Sequence, residues 1–354
     1  MTEKRIIAVA MSGGVDSSVA AARLVEKGEQ VFGMMLRLWS DPNYPNRCCS
    51  PADMTNARYI ANHLEIPFYA IDAQKVFKEK VVDYFIDGYS KGITPNPCIE
   101  CNRLVRWDFL YRKALALGAT HLATGHYAKV DWYDEKYHLL RGKDVMKDQS
   151  YVLSILNQDR LAHALFPLAD LTKEDVREYA REFSFSVADR EESQDLCFLG
   201  NSNYYDFLKQ QNVPLPPVGL IMDIDNNVLG EHKGLAAYTI GQRKGIGISM
   251  PYPLYVIQKN IENNTLIVGP KDQLGRVEFV VDQMNWILGS PPPDSENLQV
   301  QVRYRAPKTT ATVWHMGTEG ARVRLQKPLP DVTPGQFAVF YSGEECLGGG
   351  IIQP

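Results

Sequence analysis

Apolar positions in the first half of the chain fall into short buried runs separated by amphipathic stretches. Ile6-Ile7-Ala8-Val9-Ala10 reads as a buried strand, and Val19 to Lys27 as a helix closed by Gly28. Gln30 to Leu38 is again apolar and extended, and Pro51 to Leu64 sets Met54, Ala57, Ile60 and Ala61 on one helical face. Ile66 to Ile71 predicts a strand, Lys75 to Tyr89 a helix, Asn102 to Leu117 a long helix ending at Gly118, and His121 to Thr124 a short strand. This alternation predicts an α/β domain built on a doubly wound, parallel, Rossmann-like sheet. Val130 to Leu140, turning at Asp134-Glu135-Lys136, predicts a hairpin inserted on that scaffold, and Thr172 to Phe183 a helix capped by Thr172.

From Asn201 the pattern changes. Pro214, Pro216 and Pro217 interrupt the chain, and short strands follow at Leu220 to Ile224, Val228-Leu229, Leu254 to Gln258 and Thr265 to Val268. After Gly275 come Val277 to Asp282, Leu298 to Tyr304, Ala311 to His315, Ala321 to Leu325 and Ala338 to Tyr341, spaced as in a small barrel or sandwich. Three domains are expected: residues 1–200, a small central domain at 201–275, and a C-terminal β-barrel at 276–354.

Composition narrows the class. The 354 residues are 45% hydrophobic and 23% charged, ordinary for a soluble globular protein, and no apolar run is long enough to span a membrane. The formal charge of −4 announces no nucleic-acid partner, so RNA would have to be met by local basic patches. Six cysteines in a chain of this size do not make a disulfide framework. Met1-Thr2-Glu3-Lys4-Arg5 passes straight into a strand without the layout of a signal peptide, so a cytoplasmic location is expected.

The candidate chemistry begins at Met11-Ser12-Gly13-Gly14-Val15-Asp16-Ser17-Ser18, between the first strand and the first helix. Adjacent glycines let the backbone approach an anion, and a helix N-terminus offers N–H groups to it. Ser12, Ser17 and Ser18 add hydroxyls, and Asp16 would hold a magnesium ion or fix the loop. Neither the Walker string nor G-x-G-x-x-G is present. The S-G-G-x-D-S wording resembles the pyrophosphate loop of the ATP pyrophosphatases, which adenylate a substrate. A second feature is Pro95-Asn96-Pro97-Cys98-Ile99-Glu100-Cys101-Asn102, where two cysteines open a helix. A thiol at a helix N-terminus is biased toward thiolate, and Cys101, next to the predicted helix start, is the better placed nucleophile, with Arg103 and Arg106 adding positive potential. With one C-x-x-C, a structural zinc is disfavoured. Cys197, between Leu196 and Phe198, would serve as core were it not for a second thiol able to exchange with it.

Read together, Ser12-Gly13-Gly14-Val15-Asp16-Ser17, Asn96-Pro97 with Cys101-Asn102, Thr124-Gly125-His126-Tyr127, Lys147-Asp148-Gln149-Ser150-Tyr151, Cys197-Phe198-Leu199-Gly200, Gly241-Gln242-Arg243-Lys244-Gly245 and Pro334-Gly335-Gln336 give the chain a specific likeness. It resembles the bacterial-type tRNA-uridine 2-sulfurtransferases (tRNA 2-thiouridylases) of the ATP pyrophosphatase superfamily. The resemblance implies ATP, with Mg2+, bound by Ala10, Met11, Ser12, Gly13, Gly14, Val15, Asp16 and Ser17, with Leu36 and Gly125 lining the adenosine pocket. It implies the wobble uridine, position 34 of lysine, glutamate and glutamine tRNAs, as substrate. Its C2 oxygen would be adenylated, and sulfur would come from a persulfide on Cys197, loaded by a sulfur-relay protein or cysteine desulfurase. Cys101 would act as nucleophile and form a transient disulfide with Cys197. Asn96, Pro97 and Cys98 match the family's base-contacting loop. His126, Lys147, Asp148, Gln149, Arg303, Tyr304 and Gln336 match its contacts with tRNA, whose anticodon stem-loop would be the partner. One departure stands out: Cys98 replaces the aspartate of one common family pattern. That leaves Cys98, Cys101 and Cys197 as a ligand set for three corners of a [4Fe–4S] cluster. A small-molecule ATP pyrophosphatase or a non-catalytic nucleotide-binding module are the rivals, and neither needs the two thiols. Cys48, Cys49 and Cys346 receive no role.

Overall fold

The computed structural model describes residues 5–41, 50–190, 196–200, 202–211, 213–293, 295–330 and 332–354. Cys48, Cys49 and Ser193–Asp195 lie outside them. Strands β1 (Ile6–Ala10), β2 (Gln30–Arg37), β3 (Phe68–Asp72) and β4 (His121–Thr124) form a parallel sheet in the order β3-β2-β1-β4, extended beyond β4 by a two-residue strand, Ala164–Leu165, that no pattern in the sequence marks. Ile7, Ala8 and Val9 of the central strand are fully buried, as a strand covered on both faces must be.

Helices α1 (Val15–Glu26), α2 (Pro51–His63) and α5 (Lys173–Glu182) cover one face through Val19, Ala20, Ala57, Ile60 and Val176. Between α2 and α5 in sequence lie α3 (residues 74–90) and α4 (residues 97–116), each with an internal stretch of wider turns. Two helix starts differ from expectation. The first helix begins at Val15, four residues early, because Gly14 in extended geometry serves as its N-cap. The long helix begins at Pro97, five residues early, where Asn96 Oδ1 accepts from Ile99 N–H at 3.2 Å and proline occupies the first turn.

The hairpin of β5 (Ala128–Tyr133) and β6 (Lys136–Arg141) belongs to the C-terminal domain's sheet rather than to the parallel sheet it follows. Six antiparallel strands close that barrel: Arg276–Trp286, Gly320–Leu329, Thr309–Met316, Ser295–Gln301, Phe337–Ser342 and Glu345–Ile352, the last pairing back to the first. Leu139 and Leu140 of β6 pair with Cys346 and Glu345 of the last strand. That strand is invisible in the sequence because of Gly348-Gly349-Gly350. A Cβ would stand 2.0 Å from Asn285 O at Gly348, 2.7 Å from Ala338 O at Gly349 and 2.6 Å from Asp282 O at Gly350, so only glycine fits where the barrel closes. The central domain is a four-stranded sheet of Gly219–Met222, Val228–His232, Tyr255–Asn260 and Thr265–Gly269 around Ile221, Tyr238, Val256 and Leu266.

One apolar cluster spans two domains. Ala8, Met34, Trp107 and Leu110 from the parallel sheet and α4 pack with Tyr151 and with Phe337, Val339 and Tyr341 of the barrel. Burying each such side chain contributes about 2 kcal/mol, so the barrel is fastened to the sheet by its core rather than by its rim.

Candidate active site

After β1 the chain reverses through Met11–Gly14 into α1. Met11 N–H donates to Met34 O at 2.8 Å and pins the turn to β2. Gly13 has φ +73°, and a Cβ there would meet Asp53 O at 2.3 Å. Ser17 Oγ accepts from Ser12 N–H at 3.1 Å and donates to Gly14 O at 3.1 Å, and Ser18 Oγ donates to the same carbonyl at 2.8 Å. These hydroxyls therefore shape the loop from within instead of facing outward as donors. The first helical bond runs from Ser18 N–H to Gly14 O. The N–H groups of Val15, Asp16 and Ser17 precede it and have no acceptor inside the helix, which gives the turn the donors an anion would accept from.

Both oxygens of Asp16 accept from Lys173 Nζ, at 2.7 and 2.8 Å, and Oδ1 also accepts from Tyr127 OH at 2.7 Å. Arg190 holds the buried Asp53 at 2.5 Å and reaches Gly13 O at 3.4 Å. Sequence pattern assigns no role to Lys173, Asp53 or Arg190. Lys173 lies 157 residues from Asp16, and nothing local separates it from an ordinary helix start. Gly125, expected to line the adenosine pocket, lets two backbones meet: a Cβ there would stand 2.8 Å from Ser17 N.

The second half of the site is the start of α4. Since the helix begins at Pro97, Cys98 occupies its first turn and is exposed, while Cys101 lies a turn further in and is half-buried. The position given to Cys101 in the sequence, at the helix start, belongs to Cys98. Cys101 and the half-buried Cys197 both border one apolar cluster that includes Phe77, Phe85, Val105 and Phe198. The fold thus brings to one cluster two thiols that are 96 residues apart in the chain (197 − 101). Neither is in a disulfide, nor are Cys98 and the buried Cys346.

The loop and the Asn96–Cys98 turn open into one cavity of about 820 Å3, whose wall includes neither Cys101 nor Cys197. Its walls include Ala10–Ser12 and Gly14–Asp16 of the loop, Leu36, Asn96 and Cys98, then His126, Lys147, Gln149 and Tyr304. Five cationic side chains, Arg106, Lys147, Lys173, Arg190 and Arg305, face two carboxylates, Asp16 and Asp53, so the cavity is electropositive although the chain is acidic.

His126 is buried, and burial, with the Arg106 charge adding to it, holds its pKa well below 6.5. Arg106 NH1 lies 3.1 Å from Nε2, and a guanidinium only donates, so Nε2 accepts. The ring proton then sits on Nδ1 and is donated to Thr124 Oγ1 at 2.7 Å.

Other residues matched to RNA contacts are engaged within the protein. Asp148 accepts from Gly142 N–H, Ser150 N–H, Ser150 Oγ and Arg141 Nε, which braces its loop. Gln149 Oε1 accepts from Tyr127 N–H at 3.1 Å. Gln336 Nε2 donates to Thr94 O at 2.9 Å and Pro95 O at 3.2 Å, tying the barrel to the turn that precedes Asn96. Arg303 NH2 donates to Thr333 Oγ1 at 3.2 Å, and Tyr304 stands in the cavity wall with Arg305 beside its ring.

Three family models match in sequence along the chain: "tRNA methyl transferase HUP domain" at residues 5–201, "tRNA methyl transferase PRC-barrel domain" at 205–270 and "Aminomethyltransferase beta-barrel domain" at 276–352. The chain is 42% identical over 358 residues to the "tRNA-specific 2-thiouridylase MnmA" of Carboxydothermus hydrogenoformans, covering 99% of this chain and 98% of that protein. It is 44% identical to the protein of that name from Moorella thermoacetica, covering 98% of each, and 43% identical to that from Geobacter metallireducens, covering 99% and 98%. Among solved structures, the NMN synthetase of Francisella tularensis matches 60% of this chain and 74% of its own at 19% identity, with a TM-score of 0.36.

Proposed function

The chain belongs to the tRNA-specific 2-thiouridylase family, and from that membership we propose how its cavity joins ATP-dependent activation of a tRNA uridine to sulfur transfer. The observation that carries the reading is the shared cavity, into which both the Ser12–Asp16 loop and the Cys98 turn open. Methyl transfer, the chemistry in the family model's description, would need neither a pyrophosphate loop nor two thiols.

In this reading the triphosphate of ATP rests on the N–H groups at the start of α1, with Lys173 and Arg190 nearby. A magnesium ion would arrive with the phosphates, and Asp16, whose two carboxylate oxygens now accept from Lys173 Nζ, would serve as its protein ligand by giving up that lysine. The wobble uridine, position 34 of lysine, glutamate and glutamine tRNAs, leaves the anticodon stack and enters between Asn96, Cys98 and Tyr304. Its C2 oxygen attacks the α-phosphorus of ATP and pyrophosphate departs. The terminal sulfur of a Cys197 persulfide then bonds to C2, and the C2–O bond breaks with its electron pair leaving on AMP. Attack by the Cys101 thiolate on Cys197 Sγ releases the sulfur on the base as 2-thiouridine. The two thiols are oxidised to a disulfide, which an external thiol reduces. The persulfide is supplied by a sulfur-relay protein or a cysteine desulfurase, and the protein works in the cytoplasm, where such thiols are kept reduced.

The cluster expectation fares differently. Among the described residues no three His, Cys, Asp or Glu side chains are gathered to hold a metal, so Cys98, Cys101 and Cys197 do not form a ready ligand set. Among the same residues no helix is long and apolar enough to cross a membrane.

The test is mass spectrometry of nucleosides from tRNA incubated with the protein, ATP, magnesium and a persulfide donor. We expect 2-thiouridine from the wild type and none above about 1% of that yield from Cys101→Ser or Cys197→Ser. Thiolation persisting in either variant would overturn the two-thiol step.

A further inference from the structure

We propose that Arg106 is a catalytic residue that meets the phosphate of the adenylated base and stabilises the charge that grows on it as AMP leaves. The inference rests on the reading of the cavity given above and adds one residue to it.

Arg106 differs from two other cations in the wall, Lys173 and Arg190. Lys173 faces Asp16 on both carboxylate oxygens and Arg190 faces Asp53. Arg106 NH1 is held by two neutral acceptors instead, Asn102 Oδ1 at 2.9 Å and His126 Nε2 at 3.1 Å. Among the described residues no carboxylate pairs with it. A fixed guanidinium whose charge is left uncompensated inside a cavity is a site for an anion. Both acceptors are themselves oriented. Asn102 Nδ2 donates to Cys98 O at 3.0 Å, and His126 Nδ1 donates to Thr124 Oγ1 at 2.7 Å. Burial keeps the imidazole neutral, so it accepts from the guanidinium rather than repelling it.

These anchors fix where the charge sits. Asn102 ties it to the turn that carries Cys98, and Thr124 is the last residue of β4, paired with Ala10 at the end of β1 where the phosphate loop begins. Arg106 therefore lies between the loop that takes pyrophosphate and the turn that takes the base. The α-phosphate is the group that joins those two halves once the base is adenylated. Sulfur attack at C2 breaks the C2–O bond, and the phosphate passes from about one negative charge to two as AMP departs. An interaction that strengthens with that charge accelerates the step without tightening the ground state.

The experiment compares wild type with Arg106→Gln and Arg106→Lys in four readouts: ATP affinity, tRNA affinity at two salt concentrations, single-turnover thiolation, and label carried into tRNA from ATP labelled at the α-phosphate. We expect thiolation by Arg106→Gln to slow about 100-fold, the typical effect of removing one such donor. Both affinities should stay within about threefold, and adenylated tRNA, scarce in the wild type, should accumulate. Arg106→Lys keeps the charge and should recover part of the rate. Loss of ATP affinity without accumulation would make Arg106 a ground-state nucleotide contact and overturn the proposal. Weaker tRNA binding with a salt slope lower by about one would make it an RNA-backbone contact, with the same result. Unchanged thiolation also overturns it. A wild-type protein that forms no 2-thiouridine refutes the function itself, an outcome distinct from these.

Discussion

Replacing Gln336 by alanine asks whether the barrel holds the cysteine turn or reads RNA with this side chain. Gln336 is 8% exposed and donates both its bonds to the backbone, at Thr94 O and Pro95 O. Thr94 N–H returns a bond to Pro334 O at 3.1 Å, so three hydrogen bonds join the barrel to the residues just before Asn96. Alanine removes two of them. A neutral hydrogen bond contributes about 1 kcal/mol net, and a buried acceptor left unpaired costs about 1–3 kcal/mol. Water entering the vacated volume offsets part of that, so the docked turn should lose about 2 kcal/mol, roughly a 30-fold shift toward the undocked form. Amide exchange in residues 93–100 should accelerate by up to that factor, and kcat for thiolation should fall as Cys98 and Asn96 lose their fixed position. The affinity for tRNA should change less than about twofold. The refuting result is unchanged exchange together with weaker tRNA binding and a salt slope smaller by about one, the signature of a lost phosphate contact.

Lys173→Met leaves the Asp16 carboxylate, about one-third exposed, with Tyr127 OH alone. Breaking a fully buried pair costs about 3–5 kcal/mol, and solvent access reduces that here to about 2 kcal/mol. Urea unfolding should show that loss, and the KM for ATP should rise at least about tenfold because an unbalanced carboxylate repels phosphate; an unchanged KM would refute the pairing argument. His126 gives a pH dependence of stability. Its pKa falls from 6.5 in the unfolded chain to well below that in the fold, so the unfolded state binds the extra proton first. Its contribution is complete above pH 6.5 and is lost as pH falls through the window beneath. Unfolding free energies measured from pH 8 to pH 5 should decline less steeply for His126→Gln than for the wild type, and equal slopes would count against a neutral buried ring.

The sequence carries the sheet because buried parallel strands leave unbroken apolar runs, and β1, β2 and β4 are legible that way; β3 lies at the sheet edge, largely exposed, and is legible by its own apolar run. Helix starts were less legible. Gly14 and Asn96 cap their helices through backbone geometry and one side-chain bond, and neither interrupts the hydrophobic period that marked Val19 and Asn102 as starts. The last barrel strand was hidden by three glycines whose absent Cβ atoms are what let it pack. At the site, the residues that touch the loop from within, such as Ser12 and Ser17, are legible because they are local. Lys173, Asp53 and Arg190 reach it from other helices and loops, and single-chain pattern has no means to join positions that only the fold brings together. The likeness of motifs points to Cys101 and Cys197, but that Cys98 rather than Cys101 occupies the first turn of its helix is read only from the fold.

The barrel's attachment has a mechanical consequence for catalysis. Strand β5 follows directly on Gly125-His126-Tyr127, and its partner β6 is hydrogen-bonded to the last barrel strand at Leu139 and Leu140. Tyr127 N–H donates to Gln149 Oε1 and its hydroxyl donates to Asp16. A chain of hydrogen bonds therefore runs from the barrel through β6 and β5 to Tyr127, and from Tyr127 to the carboxylate beside the phosphate loop. Gln336 makes a second link, from the barrel to the turn bearing Cys98. The apolar cluster of Trp107, Tyr151, Phe337 and Val339 resists shear between these parts, because close-packed side chains have no intermediate positions to slide through. Phosphate loop and cysteine turn are thus held at a fixed separation by a domain that lies outside both.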